Sequence, residues 1–265
     1  MDTKQNNIND NTLPKKCLLP YSGGLDSTVI LWQLFNSGLY DEIHCISFDY
    51  GQRHKVELDC AKWNIEYLNT KSNKTKVIWK EIDIKFMRDI ASTSCLTNDD
   101  IKVPGKDDNS IKPTSYVPNR NMIMLSIAAA YAESHHILEI YHGANGDDYG
   151  GYWDCRQAFF NGLNTIFSDN PGCQIKFYTP LLNKTKAEII KNGLDEHVKF
   201  EHTWSDYSGG SMYFDYTKGL IYKADANSAN SQLRINAFAE LGKIDPLPYQ
   251  QDLTEFWKSK NCSKI

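Results

Sequence analysis

Long apolar runs are missing from this chain of 265 residues: no stretch approaches the roughly 18 residues that a membrane-crossing helix needs, so no membrane span is expected. Residues 1–16, rich in Asn, Asp and Lys, hold no apolar segment of the signal-peptide kind and read as a disordered polar tail. The seven cysteines are odd in number and contain no C-x-x-C pair, which excludes a disulfide framework and predicts reduced thiols in a cytoplasmic protein. A basic excess is also lacking. Lys and Arg total 29 against 33 Asp and Glu, a net charge of −4, so a small molecule suits the chain better than a nucleic-acid backbone. No internal repeat and no G-x-x-x-x-G-K-(S/T) loop occur, which excludes a solenoid and a Walker-type phosphate site. What remains is a 41% hydrophobic content, enough for one large domain or one domain with an appendage.

Hydrophobic periodicity gives the order of elements. Cys17 to Tyr21 reads as a buried strand running into the turn Ser22-Gly23-Gly24. A helical stripe follows from Leu25 to Ser37, stopped by Gly38. Strands are predicted at 42–48, 76–82, 137–144 and 174–179, and helices around 58–68, 120–134, 157–167, 186–192 and 233–241. Alternation at this pace implies an α/β fold with a parallel, Rossmann-like sheet and right-handed crossovers. Met87 to Lys112, rich in Ser, Thr, Asn and Asp, breaks the rhythm and reads as a mobile loop over a site. The predicted division is a polar tail (1–16), an α/β domain (17–200) and a smaller C-terminal lobe (201–265).

The turn between the first strand and first helix carries the clearest chemistry. Glycines at 23 and 24 let backbone N–H groups approach an anion, and the helix start adds a partial positive charge. Ser22, Ser27 and Thr28 offer hydroxyl donors. A Ser/Gly turn with Asp26 as a helix cap is the plain alternative. The full string S-G-G-L-D-S after a buried strand resembles the PP-loop of the ATP pyrophosphatases, which cleave ATP between the α and β phosphates. By that resemblance Ser22, Gly23, Gly24, Asp26 and Ser27 hold pyrophosphate, with Asp26 also suited to Mg²⁺.

Further strings resemble one branch, the 7-cyano-7-deazaguanine synthases (QueC-like proteins). Phe48-Asp49-Tyr50-Gly51-Gln52-Arg53-His54 follows the second strand, where such sheets place nucleotide contacts. Val117-Pro118-Asn119-Arg120-Asn121 looks like the family's V-P-x-R-N. Asp148-Tyr149-Gly150-Gly151-Tyr152-Trp153-Asp154-Cys155-Arg156 resembles D-(Y/F)-S-G-Y-P-D-C-R, and Thr179-Pro180-Leu181 with Lys186-Ala187-Glu188 resembles T-P-L…K-A-E. The resemblance implies ATP and Mg²⁺ as cofactors. It gives Asp26, Arg120 and Lys186 catalytic roles, and makes Phe48, Tyr50, Gln52, Arg53 and Asn121 further ATP contacts. Asp148, Tyr149, Tyr152, Asp154 and Arg156 are then the contacts of a deazapurine substrate. A lysine in the first turn of a helix opposes the helix dipole, so an anionic ligand is expected for Lys186.

The chain departs from the family where a tetrahedral zinc is bound. The family places cysteines in W-(S/T)-C-Y and in C-x2-C-x2-C before an arginine. The matching positions here, counted back from Arg234, are Asp206, Asp225, Ser228 and Ser231. Two aspartates and two serines do not make a structural zinc site, so no zinc is expected, with packing by Trp204, Tyr207, Tyr213, Phe214 and Tyr216 in its place. Trp153 replaces a proline and reshapes the pocket.

The implied reaction is adenylation of the carboxylate of 7-carboxy-7-deazaguanine, with AMP and pyrophosphate formed, then attack by an amine to give an amide or, after a second activation, the 7-cyano product. Trp153 in place of proline and the polar turns in place of zinc-clamped ones lead us to expect an amide more readily than a nitrile. Two other readings stay open. One conjugates the base to a protein amine, as diverged members in bacterial antiviral defence operons suggest; the other is a catalytically inactive nucleotide-binding subunit. A tRNA thiolase does not fit, lacking a reactive cysteine pair and a basic surface. A homodimer is compatible with all of them.

Overall fold

The computed structural model describes residues 13–51, 56–71, 74–98, 100–101, 114–146, 152–206, 210–215 and 219–265. The polar tail expected at the N-terminus falls almost wholly outside them. Five strands form one sheet, β1 (Lys16–Pro20), β2 (Glu42–Asp49), β3 (Lys76–Asp83), β4 (Glu139–Tyr141) and β5 (Lys176–Tyr178), in the order β3-β2-β1-β4-β5 with every pair parallel. The central strands are covered on both faces, which explains their near-continuous apolar runs. Side-chain alternation divides them cleanly. Cys17, Leu19, Ile43 and Cys45 point into one core, whereas Leu18 and Ile46 point into the other.

The first core is roofed by α1 (Leu25–Ser37), α2 (Val56–Asn69) and α6 (Lys186–Asp195), the second by α4 (Arg120–Ser134) and α5 (Gln157–Ser168). α1 ends at Gly38, whose left-handed backbone (φ 61°) closes the last turn. α6 starts with a reciprocal capping box: the Glu188 amide donates to Thr185 Oγ1 at 3.3 Å, and the Thr185 amide to Glu188 Oε2 at 2.8 Å.

β4, the stretch after Met87 and the start of α7 (Ala229–Glu240) are among the features that differ from expectation. β4 pairs over Glu139–Tyr141 alone, because the chain then turns to run beside the start of α1: a Cβ on Gly143 would sit 3.4 Å from the Ser27 amide nitrogen. The stretch after Met87 is not a free loop where it is described. A short helix, α3 (Met87–Ile90), leads into Ser94, Cys95, Leu96 and Thr97, all buried. The polar side chains there bond their own backbone, as when the Leu96 amide donates to Ser94 Oγ at 3.2 Å, so their polarity does not signal exposure. Residues 102–113 of that segment lie outside the described residues. α7 begins at Ala229, four residues before its apolar stripe, because Ser228 caps it.

Beyond residue 200 the chain adds an antiparallel hairpin, β6 (Ser211–Asp215) and β7 (Gly219–Lys223), then α7 (Ala229–Glu240) and α8 (Thr254–Ser259). Ile235, Phe238 and Trp257 of these last helices share the first core with α1 and α6. Arg234, 1% exposed, ties the segments together: it binds Asp245 through two nitrogens (2.6 and 2.9 Å) and donates to the Phe200 and Thr203 carbonyls. No helix of the described residues is long and apolar enough to cross a membrane.

Candidate active site

The chain leaves β1 toward β2 and β3 on one side, then returns to place β4 and β5 on the other. The crevice beyond the C-terminal ends of β1 and β4 is therefore the topological switch point, where sheets of this kind bind ligands. The Ser22–Gly24 turn and the start of α1 lie there. Gly23 adopts φ 82°, and a Cβ on it would lie 2.1 Å from the Glu57 carbonyl oxygen, so only glycine fits. Gly24 is the N-cap and no side chain caps the helix, which leaves the first-turn amides directed at the crevice. From the other side, the Trp204 amide donates to the Gly23 carbonyl at 3.2 Å and holds the turn.

The predicted phosphate-loop residues divide in two. Ser22 Oγ and Ser27 Oγ face each other at 3.2 Å, and the Gly24 amide donates to Ser22 Oγ at 3.1 Å. The Thr28 side chain differs from these: it is fully buried, donating to the Gly24 carbonyl at 2.8 Å and meeting Tyr21 OH at 3.1 Å, so its hydroxyl is engaged within the protein. A helical threonine reaching back one turn in this way is common.

Lys186, the first residue of α6, places Nζ 2.8 Å from both carboxylate oxygens of Asp26. A carboxylate of the protein therefore faces this first-turn cation. Asn145, 1% exposed and just past β4, donates to Asp26 Oδ2 at 3.2 Å. Nothing in the sequence pattern marks Asn145; only the short β4 brings it here.

Arg120, the first residue of α4, stands over the Tyr50 ring at 5.8 Å. Phe48 and Tyr50, expected as nucleotide contacts, are buried in the second core, with Tyr50 pushed up to about 12 by burial, against the pull of Arg120. Glu57, half-buried in the first turn of α2, is raised to about 7 by desolvation, partly countered by the Arg120 guanidinium. His142, following β4, is held down to about 4 by burial first and Arg120 second. Sequence reading passed over Glu57 because an acidic residue in a first helical turn is ordinary.

In the predicted substrate segment, Asp154 lies in a short 3-10 turn, Trp153–Cys155, and is 2% exposed. It does not cap α5, whose N-cap is Arg156. Asn121 hydrogen bonds support the Asp154 carboxyl, yet Oδ1 has no partner, and burial raises the group above the usual carboxylate range. Tyr152 OH meets Ser115 Oγ at 2.7 Å, and Asn121 Nδ2 lies 3.5 Å from Cys155 Sγ. Trp153 is 45% exposed, its indole N–H donating to Tyr116 OH at 2.9 Å. Arg156 is exposed. Gln52, Arg53, Asp148 and Tyr149 lie outside the described residues.

At the four positions where the resembling family binds zinc, hydrogen bonds now join the chain. Asp206 Oδ2 accepts from the Asp225 amide at 2.8 Å, and Ser228 Oγ donates to Ser231 Oγ at 2.9 Å. Trp204 packs with Val56, Ala224 and Leu247, whereas its expected partners Tyr207, Tyr216 and the side chains of Tyr213 and Phe214 lie outside the described residues.

A parallel sheet with an uncapped glycine-turn helix at its switch point, flanked by a lysine–aspartate pair, defines a PP-loop α/β protein. The family model for the queuosine biosynthesis protein QueC matches residues 16–240. A 7-cyano-7-deazaguanine synthase from Thermoplasma volcanium is 39% identical over 260 residues, covering 96% of this chain and 98% of that protein. Another, from Clostridium kluyveri, is 37% identical over 249 residues, covering 89% and 98%. The chain belongs to the QueC family. NMN synthetase from Francisella tularensis aligns over 95% of this chain and 89% of its own at 15% identity with a TM-score of 0.45, too weak a likeness to add to the assignment.

Proposed function

We propose that this chain activates the carboxylate of 7-carboxy-7-deazaguanine with ATP, releasing pyrophosphate, and passes the acyl group from AMP to an amine. The observation that carries this reading is the Lys186–Asp26 pair beside the uncapped start of α1. A carboxylate oxygen leaves poorly, and joining it to AMP gives a better leaving group. The triphosphate fits the first-turn amides with the Ser22 and Ser27 hydroxyls, and Lys186 is placed to neutralise charge on the departing pyrophosphate. The donor chemistry suits Mg²⁺: one carboxylate, Asp26, beside phosphate oxygens is the way this ion is commonly held. When bound, Mg²⁺ supplies neutralisation of phosphate charge. The orphan Oδ1 of buried Asp154 calls for a donor, and the N–H groups on the edge of a guanine-like base supply one.

The acceptor separates two readings. Ammonia gives the amide and, after a second activation, the nitrile. A protein amine stops at the amide; the half-exposed Trp153 on the substrate turn favours an acceptor reaching in from outside. An inactive subunit is disfavoured because Asp26 and Lys186 both stand in mutual contact. The test is mass spectrometry of the products from ATP, Mg²⁺, the carboxy-deazaguanine and ammonia, with and without protein partners. AMP, pyrophosphate and an amide of the base are expected. ADP and phosphate overturn the activation chemistry, and clean conversion to the nitrile at two ATP per base overturns the amide end point.

A further inference from the structure

After β4 the chain passes between the starts of α1 and α6, the two helices that carry Asp26 and Lys186. Two glycines let it through. A Cβ on Gly143 would lie 3.4 Å from the Ser27 amide nitrogen, and one on Gly146 would lie 3.4 Å from the Lys184 carbonyl oxygen. Between them Asn145, 1% exposed, donates from Nδ2 to Asp26 Oδ2 at 3.2 Å. Lys186 Nζ lies 2.8 Å from both oxygens of the same carboxylate. One carboxylate is thus held from two elements, by a long flexible cation and by a short amide on closely packed backbone. Its direction matters to the site. Asp26 is the second residue of α1, and the amides of Leu25, Asp26 and Ser27 precede the first intrahelical bond, from the Thr28 amide to the Gly24 carbonyl at 3.0 Å. Gly24, the N-cap, brings no side chain to them. A first-turn aspartate readily accepts from such neighbouring amides, where its charge is also favoured. Among the described residues, the donors to the Asp26 carboxylate are instead Lys186 and Asn145.

We propose that Asn145 is a positioning residue for the phosphate site: it holds Asp26 off the first-turn amides of α1 and so keeps them for the phosphates of the nucleotide. The role rests on the reading given above, in which the start of α1 receives ATP. Lys186 cannot do this alone. Once ATP is present its ammonium is drawn toward phosphate oxygens, and the hold on Asp26 passes to Asn145. With that amide removed, the carboxylate is free to turn onto the amides of residues 25–27 and competes with phosphate for the same donors. A neutral donor suits the task, because it fixes the carboxylate without cancelling the charge that attracts Lys186 and Mg²⁺.

Calorimetric titration of the full chain with ATP and Mg²⁺, the base left out so that no turnover follows, reads the site directly. Asn145→Ala is expected to weaken ATP binding about tenfold, the size of a capping bond set against the phosphate. With Asp26→Ala already in place no carboxylate remains to turn inward, and adding Asn145→Ala should change the affinity by less than about twofold. A residue that merely supports the backbone between α1 and α6 would cost the same in both backgrounds. Equal losses in the two backgrounds therefore overturn the proposal, as does undiminished binding in Asn145→Ala. Should Asn145→Ala fail to fold, Asn145→Asp keeps the shape and sets a second carboxylate against Asp26. ATP binding there should be weakened at least as much, and binding equal to that of the unaltered protein overturns the role. Absence of ATP binding by the unaltered protein is a different result: it removes the phosphate-site reading, and this role with it.

Discussion

Lys186 and Asp26, 160 residues apart in the chain, meet with Nζ 2.8 Å from each carboxylate oxygen. Their side chains are 17% and 24% exposed, so the pair is reachable from the crevice yet sheltered enough to matter electrostatically. Each charge orients the other before any nucleotide arrives. Removing either should strip transition-state stabilisation from the leaving pyrophosphate, and Lys186→Ala or Asp26→Ala should lower AMP formation about 10²–10³-fold. Product analysis by ion-exchange chromatography checks both the size of the loss and the identity of the products.

Gly23 and Gly38 both have positive φ, but their surroundings differ. A Cβ at Gly23 meets the Glu57 carbonyl at 2.1 Å and the Ala61 amide at 2.7 Å, whereas at Gly38 it meets nothing within 4 Å. Gly38→Ala should therefore lose only the left-handed backbone term, about 1–2 kcal/mol. Gly23→Ala should lose more, and should weaken ATP binding as well, because backbone must move apart beneath the phosphate turn. Urea denaturation of the two variants side by side gives the comparison.

The parallel sheet was readable because short apolar runs alternate with helical stripes, and the S-G-G-L-D-S turn follows a strand directly; the order of strands within the sheet, β3-β2-β1-β4-β5, comes from the structure alone. What lay hidden depends on tertiary placement. Asp26 and Lys186 are each conspicuous, but their pairing depends on how far α6 lies from β5. Thr28 looks like a phosphate donor in sequence, and helix geometry turns it inward. Ser94 and Thr97 look exposed by composition, and local backbone bonds bury them. Glu57 looks like an ordinary helix-start acid until Arg120 is brought near it from α4.

In the C-terminal segments Arg234 is expected to supply much of the cohesion that a metal would otherwise provide. It is 1% exposed and bound twice to Asp245, which also accepts from Tyr249 OH at 2.6 Å. Arg234→Leu leaves a buried carboxylate without its cation, a change that destabilises by about 3–5 kcal/mol. Removing both charges, with Asp245→Leu added, should recover part of that loss. Metal analysis should find no stoichiometric zinc, and a chelator should leave the melting temperature of the unaltered protein in place; one zinc per chain would overturn this.

His142 and Glu57 make opposite demands on stability as pH changes. His142 accepts the Ala144 amide at Nδ1 (3.1 Å), which favours the neutral ring, and its pKa falls from 6.5 to about 4. Between those values the unfolded chain binds more protons at this site, so its contribution is full above pH 6.5 and is lost as pH falls toward 4. Glu57 rises from 4.5 to about 7, so the folded chain binds more protons there, and its contribution is full below pH 4.5 and is lost as pH rises toward 7. Across the shared window the two nearly cancel, at about 1.4 kcal/mol per pH unit each. Glu57→Gln leaves the histidine term unopposed, and its stability should fall more steeply than that of the unaltered protein on acidification from pH 6.5 to 4.5. His142→Asn leaves the glutamate term, and its stability relative to the unaltered protein should rise over the same interval. Denaturation midpoints at several pH values test both signs, and parallel curves for all three proteins would show that neither group is perturbed by its surroundings in the fold.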